Sequence, residues 1–141
     1  MVDYVRLGRT NLMVSPAGLG CGGYSRLGMR DGKNFSTAEG VVKRALDLGI
    51  NYFDTARAYG TEEVVGKTVQ SQRSEVVIST KTMFQEKDGT YMPAEKLVES
   101  LEKSLARMNT DYVDVFNLHG VLPQHLDYCI EEYVPMLQQQ V

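Results

Sequence analysis

At 141 residues, 43% of them hydrophobic and 23% charged, the chain has room for one domain with a buried core, and its composition excludes a disordered polymer. A formal net charge of −3 and a pI near 5.4, with 15 Lys and Arg residues scattered singly or in pairs, exclude the basic surface that tracks a nucleic-acid backbone. No run of about 18 apolar residues offers a membrane span, and MVDYVRLGRT lacks the apolar stretch of a secretory leader, so a cytoplasmic address is expected.

The elements follow in chain order. Residues 4–7 and 12–14, separated by the turn-forming GRTN, predict a β-hairpin. Residues 17–20 predict a first core strand. STAE has the form of a capping box, with Ser36 as N-cap and Glu39 three residues on, and opens a helix whose apolar positions Val41, Val42, Ala45 and Leu46 run up to Gly49. Residues 50–54 then read as a strand. TEEVVGKTVQSQ from Thr61 reads as a helix capped by Gly60 or Thr61, with acids in its first turn and Gly66 as a weak point inside it. Residues 75–80, EVVIST, are β-branched and nearly continuously apolar, as in a parallel strand covered on both faces, and Lys81 closes the run. Pro93 starts a third helix with an apolar stripe of Leu97, Leu101, Leu105 and Met108, ended by Asn109. Residues 111–119 give another strand. A fourth helical region follows, which Pro135 kinks or restarts.

Strands alternating with helices argue for parallel pairing with crossover helices, either in an open doubly wound sheet or in a (β/α) barrel. The polar residues fall in a pattern that bears on function. Asp54, Lys81 and His119 each sit where an apolar run stops, and Tyr59 lies in the loop just after Asp54. Adjacent parallel strands are about 4.8 Å apart, so these four side chains can share one patch at the carboxyl ends of the strands, where α/β proteins place their active sites.

Together these groups form a proton-donating set. A phenol with a pKa near 10 is a poor donor at neutral pH until a neighbouring ammonium favours its ionised form. Lys81 supplies the ammonium, Asp54 its counter-ion, and His119 a hydrogen bond to a substrate oxygen. Tyr59 is then the general acid for an oxygen that becomes an alcohol, which is half of a carbonyl reduction. The other half is a hydride, which no side chain carries, so a nicotinamide cofactor is implied.

Four segments carrying these residues, RLGRTNLMVSPAGLGCGG, ALDLGINYFDTARAYGTEE, VVISTKT and SLARMNTDYVDVFNLHG, resemble the aldo-keto reductases in order and spacing. The resemblance implies a (β/α)₈ TIM-barrel fold, reduction of an aldehyde or ketone with NADPH or NADH, and a catalytic tetrad of Asp54, Tyr59, Lys81 and His119. By the same resemblance Gly20, Cys21 and Gly22, with Asp54, lie at the nicotinamide end of the cleft, and Tyr24 touches substrate beside Tyr59 and His119. Only the first four βα units of such a barrel are present, with the N-terminal hairpin, so residues 1–141 are expected to form one partial domain, the N-terminal half of the barrel. Most of the family's cofactor-holding residues belong to the other half. A half-barrel would expose strand edges and apolar surface, and self-association or a second chain completing the barrel is therefore expected.

Each tetrad residue also has a plain reading taken singly: a turn acid, a turn aromatic, a solvated strand end, a satisfied histidine. Their joint arrival at successive strand ends favours catalysis. GLGCGG contains a GxGxGG pattern, but YSRLGMRDGKNF follows where a dinucleotide fingerprint needs a helix to receive the pyrophosphate. Cys21 and Cys129 lack disulfide or metal-ligand spacing, and no metal site is expected. The rival reading is a truncated, catalytically silent half-barrel that serves as an association or nucleotide-binding module.

Overall fold

The structure, a computed structural model, describes residues 2–31 and 34–140. A two-stranded antiparallel hairpin, β1 (Val5–Arg6) and β2 (Met13–Val14), precedes a four-stranded sheet of β3 (Leu19–Gly20), β4 (Tyr52–Asp54), β5 (Val77–Thr82) and β6 (Val115–Leu118). All neighbours in that sheet are parallel, and their spatial order is their chain order. A doubly wound sheet reverses its order at a switch point and this one does not, so the architecture is of the α/β TIM-barrel type. The crossovers carry α1 (Phe35–Asp47), α2 (Glu62–Val69) and α3 (Ala94–Met108). Among the described residues no helix is long and apolar enough to cross a membrane.

Helix α1 begins two residues earlier than the capping box suggests. Asn34 is the N-cap, and its Oδ1 accepts from the Thr37 backbone N–H at 3.1 Å, so Ser36 lies inside the helix. Helix α3 ends on Asn109 at φ +52°, a left-handed conformation that an asparagine tolerates. In α2, Gly66 marks a close approach: a Cβ there would lie 2.1 Å from the Met108 carbonyl oxygen. The glycine that weakens α2 as a helix is what lets it press against the end of α3.

Two faces of the sheet do different work. Alternation sends Phe53, Ile78 and Leu19 toward the helices, where Phe53 and Ile78 pack fully buried with Val42 of α1, Val64, Val65 and Val69 of α2, and Met108. Complete burial of an aromatic such as Phe53 contributes roughly 1.5–3 kcal/mol. Thr80 and Thr82 point the same way without loss, because the Thr80 hydroxyl donates to Glu62 at 2.7 Å and the Thr82 hydroxyl to Ser100 at 2.7 Å. Buried Glu62 is also held by Arg107 at 2.7 Å, so one carboxylate joins α2, β5 and α3.

Below the sheet, Asn51 ties the hairpin to the start of β4. Its Oδ1 accepts from the Ser15 N–H at 2.7 Å and its Nδ2 donates to the Met13 carbonyl at 2.9 Å. Beyond β6 the chain forms α4 (Leu126–Tyr128), a π-helical turn over Cys129–Tyr133, and α5 (Val134–Leu137). The wide turn ends at Tyr133 and Pro135, which has no N–H to give, stands in the first turn of α5, so of the kink or restart expected at that proline the restart is what is present. Tyr133 anchors the segment in a second core with Phe84, Leu97 and Cys129, its hydroxyl 2.8 Å from the Met92 carbonyl and 3.1 Å from that of Phe84. Burial pushes the Tyr133 phenol up to about 12.

Candidate active site

The other face of the sheet carries the polar residues. Gly20, Asp54, Ser79 and Val115 stand in one row across the four strands, and Lys81 and Asn117 stand side by side two residues further along. Lys81 lies within β5, one residue before its end, and its side chain leans back across the neighbouring strand to Asp54. Its Nζ is 2.7 Å from each carboxylate oxygen of Asp54 and 2.9 Å from the Thr55 carbonyl. All three ammonium protons thus have acceptors. The pair is partly shielded, with side-chain exposures of 18% for Lys81 and 36% for Asp54. Beside it, Asn117 Nδ2 donates to Ser79 Oγ at 3.0 Å.

Tyr59 reaches this pair from a single 3₁₀ turn, Arg57–Tyr59. Three local features fix the turn. Thr55 is pinned to β5 by its N–H to the Ser79 carbonyl at 2.8 Å, and its hydroxyl meets that of Thr61, also buried, at 2.8 Å. Gly60 closes the turn at φ +73°, a left-handed position suited to glycine. The loop between the two threonines is therefore clasped at both ends, which is why Thr61 makes no capping bond to α2. The Lys81 ammonium sits 5.1 Å from the Tyr59 ring centroid, within cation–π range.

His119 follows β6, its N–H bonded to the Thr82 carbonyl at 2.8 Å, and its ring meets that of Tyr59 edge-on at 5.4 Å and 88°. The buried Nδ1 of His119 has no hydrogen-bond partner among the described residues. The four tetrad candidates thus come together at the carboxyl ends of three successive strands.

The glycine segment divides. Gly20 is adjacent to Asp54 in the sheet, and a Cβ there would meet nothing within 4 Å, so it presents open backbone to the cleft. Gly22 lies under the phenol: a Cβ there would stand 2.6 Å from Tyr59 Cε2. Cys21 turns to the helix side, fully buried, with its thiol donating to the Leu19 carbonyl and its N–H to the Asp54 carbonyl at 2.8 Å. Burial, and secondarily the Asp54 carboxylate, push that thiol up to about 12, so it stays neutral. Tyr24 is 77% exposed and stacks against Arg30 at 4.8 Å, away from the tetrad contacts. Among the described residues no group of three or more His, Cys, Asp or Glu side chains is placed to hold a metal ion.

The Aldo/keto reductase family profile matches residues 18–141, across all four strands of this sheet and the whole tetrad. The chain belongs to that family. Among its relatives, L-galactose dehydrogenase of Arabidopsis thaliana is 36% identical over 144 residues, an alignment covering 97% of this chain and 44% of the relative. An uncharacterised oxidoreductase of Bacillus subtilis is 34% identical, with 96% and 45% covered. The holo form of an aldo-keto reductase from Bacillus halodurans superposes with a TM-score of 0.79 at 30% identity, over 99% of this chain and 46% of that one. This aldo/keto reductase chain therefore spans about half the length of the relatives it matches.

Thr55, Thr61, Ser79 and Asn117 support the site without standing out in the sequence. The two threonines bracket the Tyr59 turn, Thr55 four residues before the tyrosine and Thr61 two after, so DTARAYGT carries a faint signal for the clasp. Ser79 and Asn117 have no such cue, because they meet only when β5 and β6 pair.

Proposed function

We propose that this chain supplies the proton-donating part of an NADPH- or NADH-dependent reductase of aldehydes or ketones, acting in the cytoplasm. The observation that carries this reading is the Lys81 ammonium locked on Asp54 and held over the Tyr59 ring, with His119 edge-on to the same ring. When bound, a reduced nicotinamide supplies the hydride that goes to the carbonyl carbon. Tyr59 gives its hydroxyl proton to the carbonyl oxygen as charge develops there, and the product is the alcohol. Lys81 assists through its field, since its protons are committed to Asp54 and Thr55. His119 orients the oxygen against Tyr59.

The nicotinamide end of a cofactor fits the residues present. Gly20 offers open backbone beside Asp54 for a planar ring, and the buried, unpartnered Nδ1 of His119 is a polar atom available to a ligand or to a further residue of the site. Consumption of NADPH and of NADH with 4-nitrobenzaldehyde tests the reading, with Tyr59→Phe alongside. Turnover that survives unchanged in the phenylalanine variant would sink it.

A second proposal concerns completion of the barrel. Strands β3 and β6 each have a neighbour on one side only among the described residues, and on the inner face of the sheet Asp54, Lys81, Val115 and Asn117 are partly exposed. We propose that residues 1–141 act as one part of a barrel, closed by further strands from the same polypeptide or from a second chain. Sedimentation of the 141-residue chain checks the second source: a monomer with full reductase activity would refute any need for it.

A further inference from the structure

A cleft of about 450 Å³ borders the tetrad at Lys81 and His119. Residues of the loops after β4 and β5, Arg57, Met83 and Lys87 among them, line it with those two. Four charged side chains line it, two of which are already compensated. Lys81 is neutralised by Asp54, and Glu86 by Lys96 at 3.2 Å. The Gln85 amide is turned away to the Gly89 carbonyl at 2.9 Å. Arg57 and Lys87 remain, and among the described residues neither has an ion-pair partner. Arg57 belongs to the same turn as Tyr59, two residues earlier. The chain as a whole carries −3, so this positive rim runs against the overall charge.

Met83 and Met92 give the lining its apolar, adaptable part. A ligand suited to such a cleft has an anion at one end, an apolar middle and a polar reacting group at the other. Resting on the reductase reading above, we propose that the cleft takes carbonyl compounds bearing a carboxylate. The carboxylate lies on Arg57 and Lys87, and the carbonyl meets Tyr59 and His119. A guanidinium matches a carboxylate with two parallel hydrogen bonds, while the lysine adds charge without fixed geometry. Both cations are exposed, so each contributes a few-fold in affinity, and added salt weakens the effect.

The test compares 4-carboxybenzaldehyde with benzaldehyde, in the wild-type chain and in the double variant Arg57→Gln, Lys87→Gln. The expected result is a kcat/KM ratio favouring the carboxylate that falls about tenfold in the double variant and about as far in high salt. A ratio unchanged by the double variant overturns the proposal. Equilibrium titrations with benzoate and benzamide, followed by backbone amide NMR, separate this inference from the reductase reading. Benzoate selectivity that disappears in the double variant supports the rim even if neither aldehyde is reduced, a case in which only the reductase reading fails. Equal binding of the two probes overturns the rim even if benzaldehyde is reduced. A third titration uses inorganic pyrophosphate. If the double variant loses pyrophosphate and NADPH binding while benzoate binding is unchanged, the cations serve cofactor phosphates and the proposal is wrong.

Discussion

The two faces of the parallel sheet differ in chemistry although they alternate along the same strands. Facing the helices, Phe53 and Ile78 are buried in a continuous apolar layer, and the polar side chains that point there, Thr80 and Thr82, have partners waiting in Glu62 and Ser100. Facing the cleft, Asp54, Ser79, Lys81 and Asn117 are one residue out of phase with them. A one-residue slip of β5 would send Lys81 into the helix layer and Ile78 into the cleft, so the packing of one face enforces the chemistry of the other. Core packing and the candidate site are thus written on alternate residues, and substitutions should separate them.

The largest separation is expected from Phe53→Ala and Tyr59→Phe. Truncating Phe53 should cost about 3–5 kcal/mol in urea unfolding, enough to unfold much of a marginal domain. Removing the Tyr59 hydroxyl should lower kcat by about 10²–10⁴ while moving the unfolding midpoint little, since that residue is only half-buried. If the two variants affect stability alike, the division between the faces is broken. A smaller effect tests the boundary between them. Gly22→Ala puts a methyl where the phenol lies, and should reduce kcat about tenfold to a hundredfold with little change in KM, read by steady-state kinetics. An unchanged kcat would mean that the phenol is positioned from elsewhere.

The smallest effect is a pH dependence confined to the second core. The Tyr133 phenol is raised from about 10 to about 12 by burial, so the folded state disfavours its ionised form. Its contribution is complete below about pH 10 and is lost as pH rises from there toward 12. Urea midpoints across that range should fall less steeply in Tyr133→Phe than in the parent. Parallel slopes would show that Tyr133 does not titrate on unfolding.

That Asp54, Lys81 and His119 would meet was legible because each ends an apolar run, and run endings survive translation from sequence to strand; Tyr59 was placed only by its loop position just after Asp54. Strand lengths were less legible. Residues 111–119 read as one strand, yet pairing begins at Val115, because Asp114 uses its carboxylate to hold Arg73 and the Ile78 N–H, each at 2.8 Å. A side chain there occupies a place that a strand would fill with backbone. Ser36 with Glu39 imitates a capping box, and only the observed bond from Asn34 shows which residue the helix starts from. The Ser79–Asn117 pair and the three-element link through Glu62 escape sequence reading for one reason. Each joins residues whose meeting depends on the register of neighbouring strands or on helix placement.

That register has a metric consequence. Lys81 stands two residues beyond Ser79, the sheet partner of Asp54, so the backbone positions of Lys81 and Asp54 are offset by about 6.6 Å along the strand and about 4.8 Å across it. Four methylenes and the short Asp54 side chain close that diagonal between them, and the charge comes to rest 5.1 Å from the centroid of the Tyr59 ring. A cation on a shorter stem would carry the same charge and hang short of its counter-ion. At this position the strand stagger selects for reach as much as for basicity.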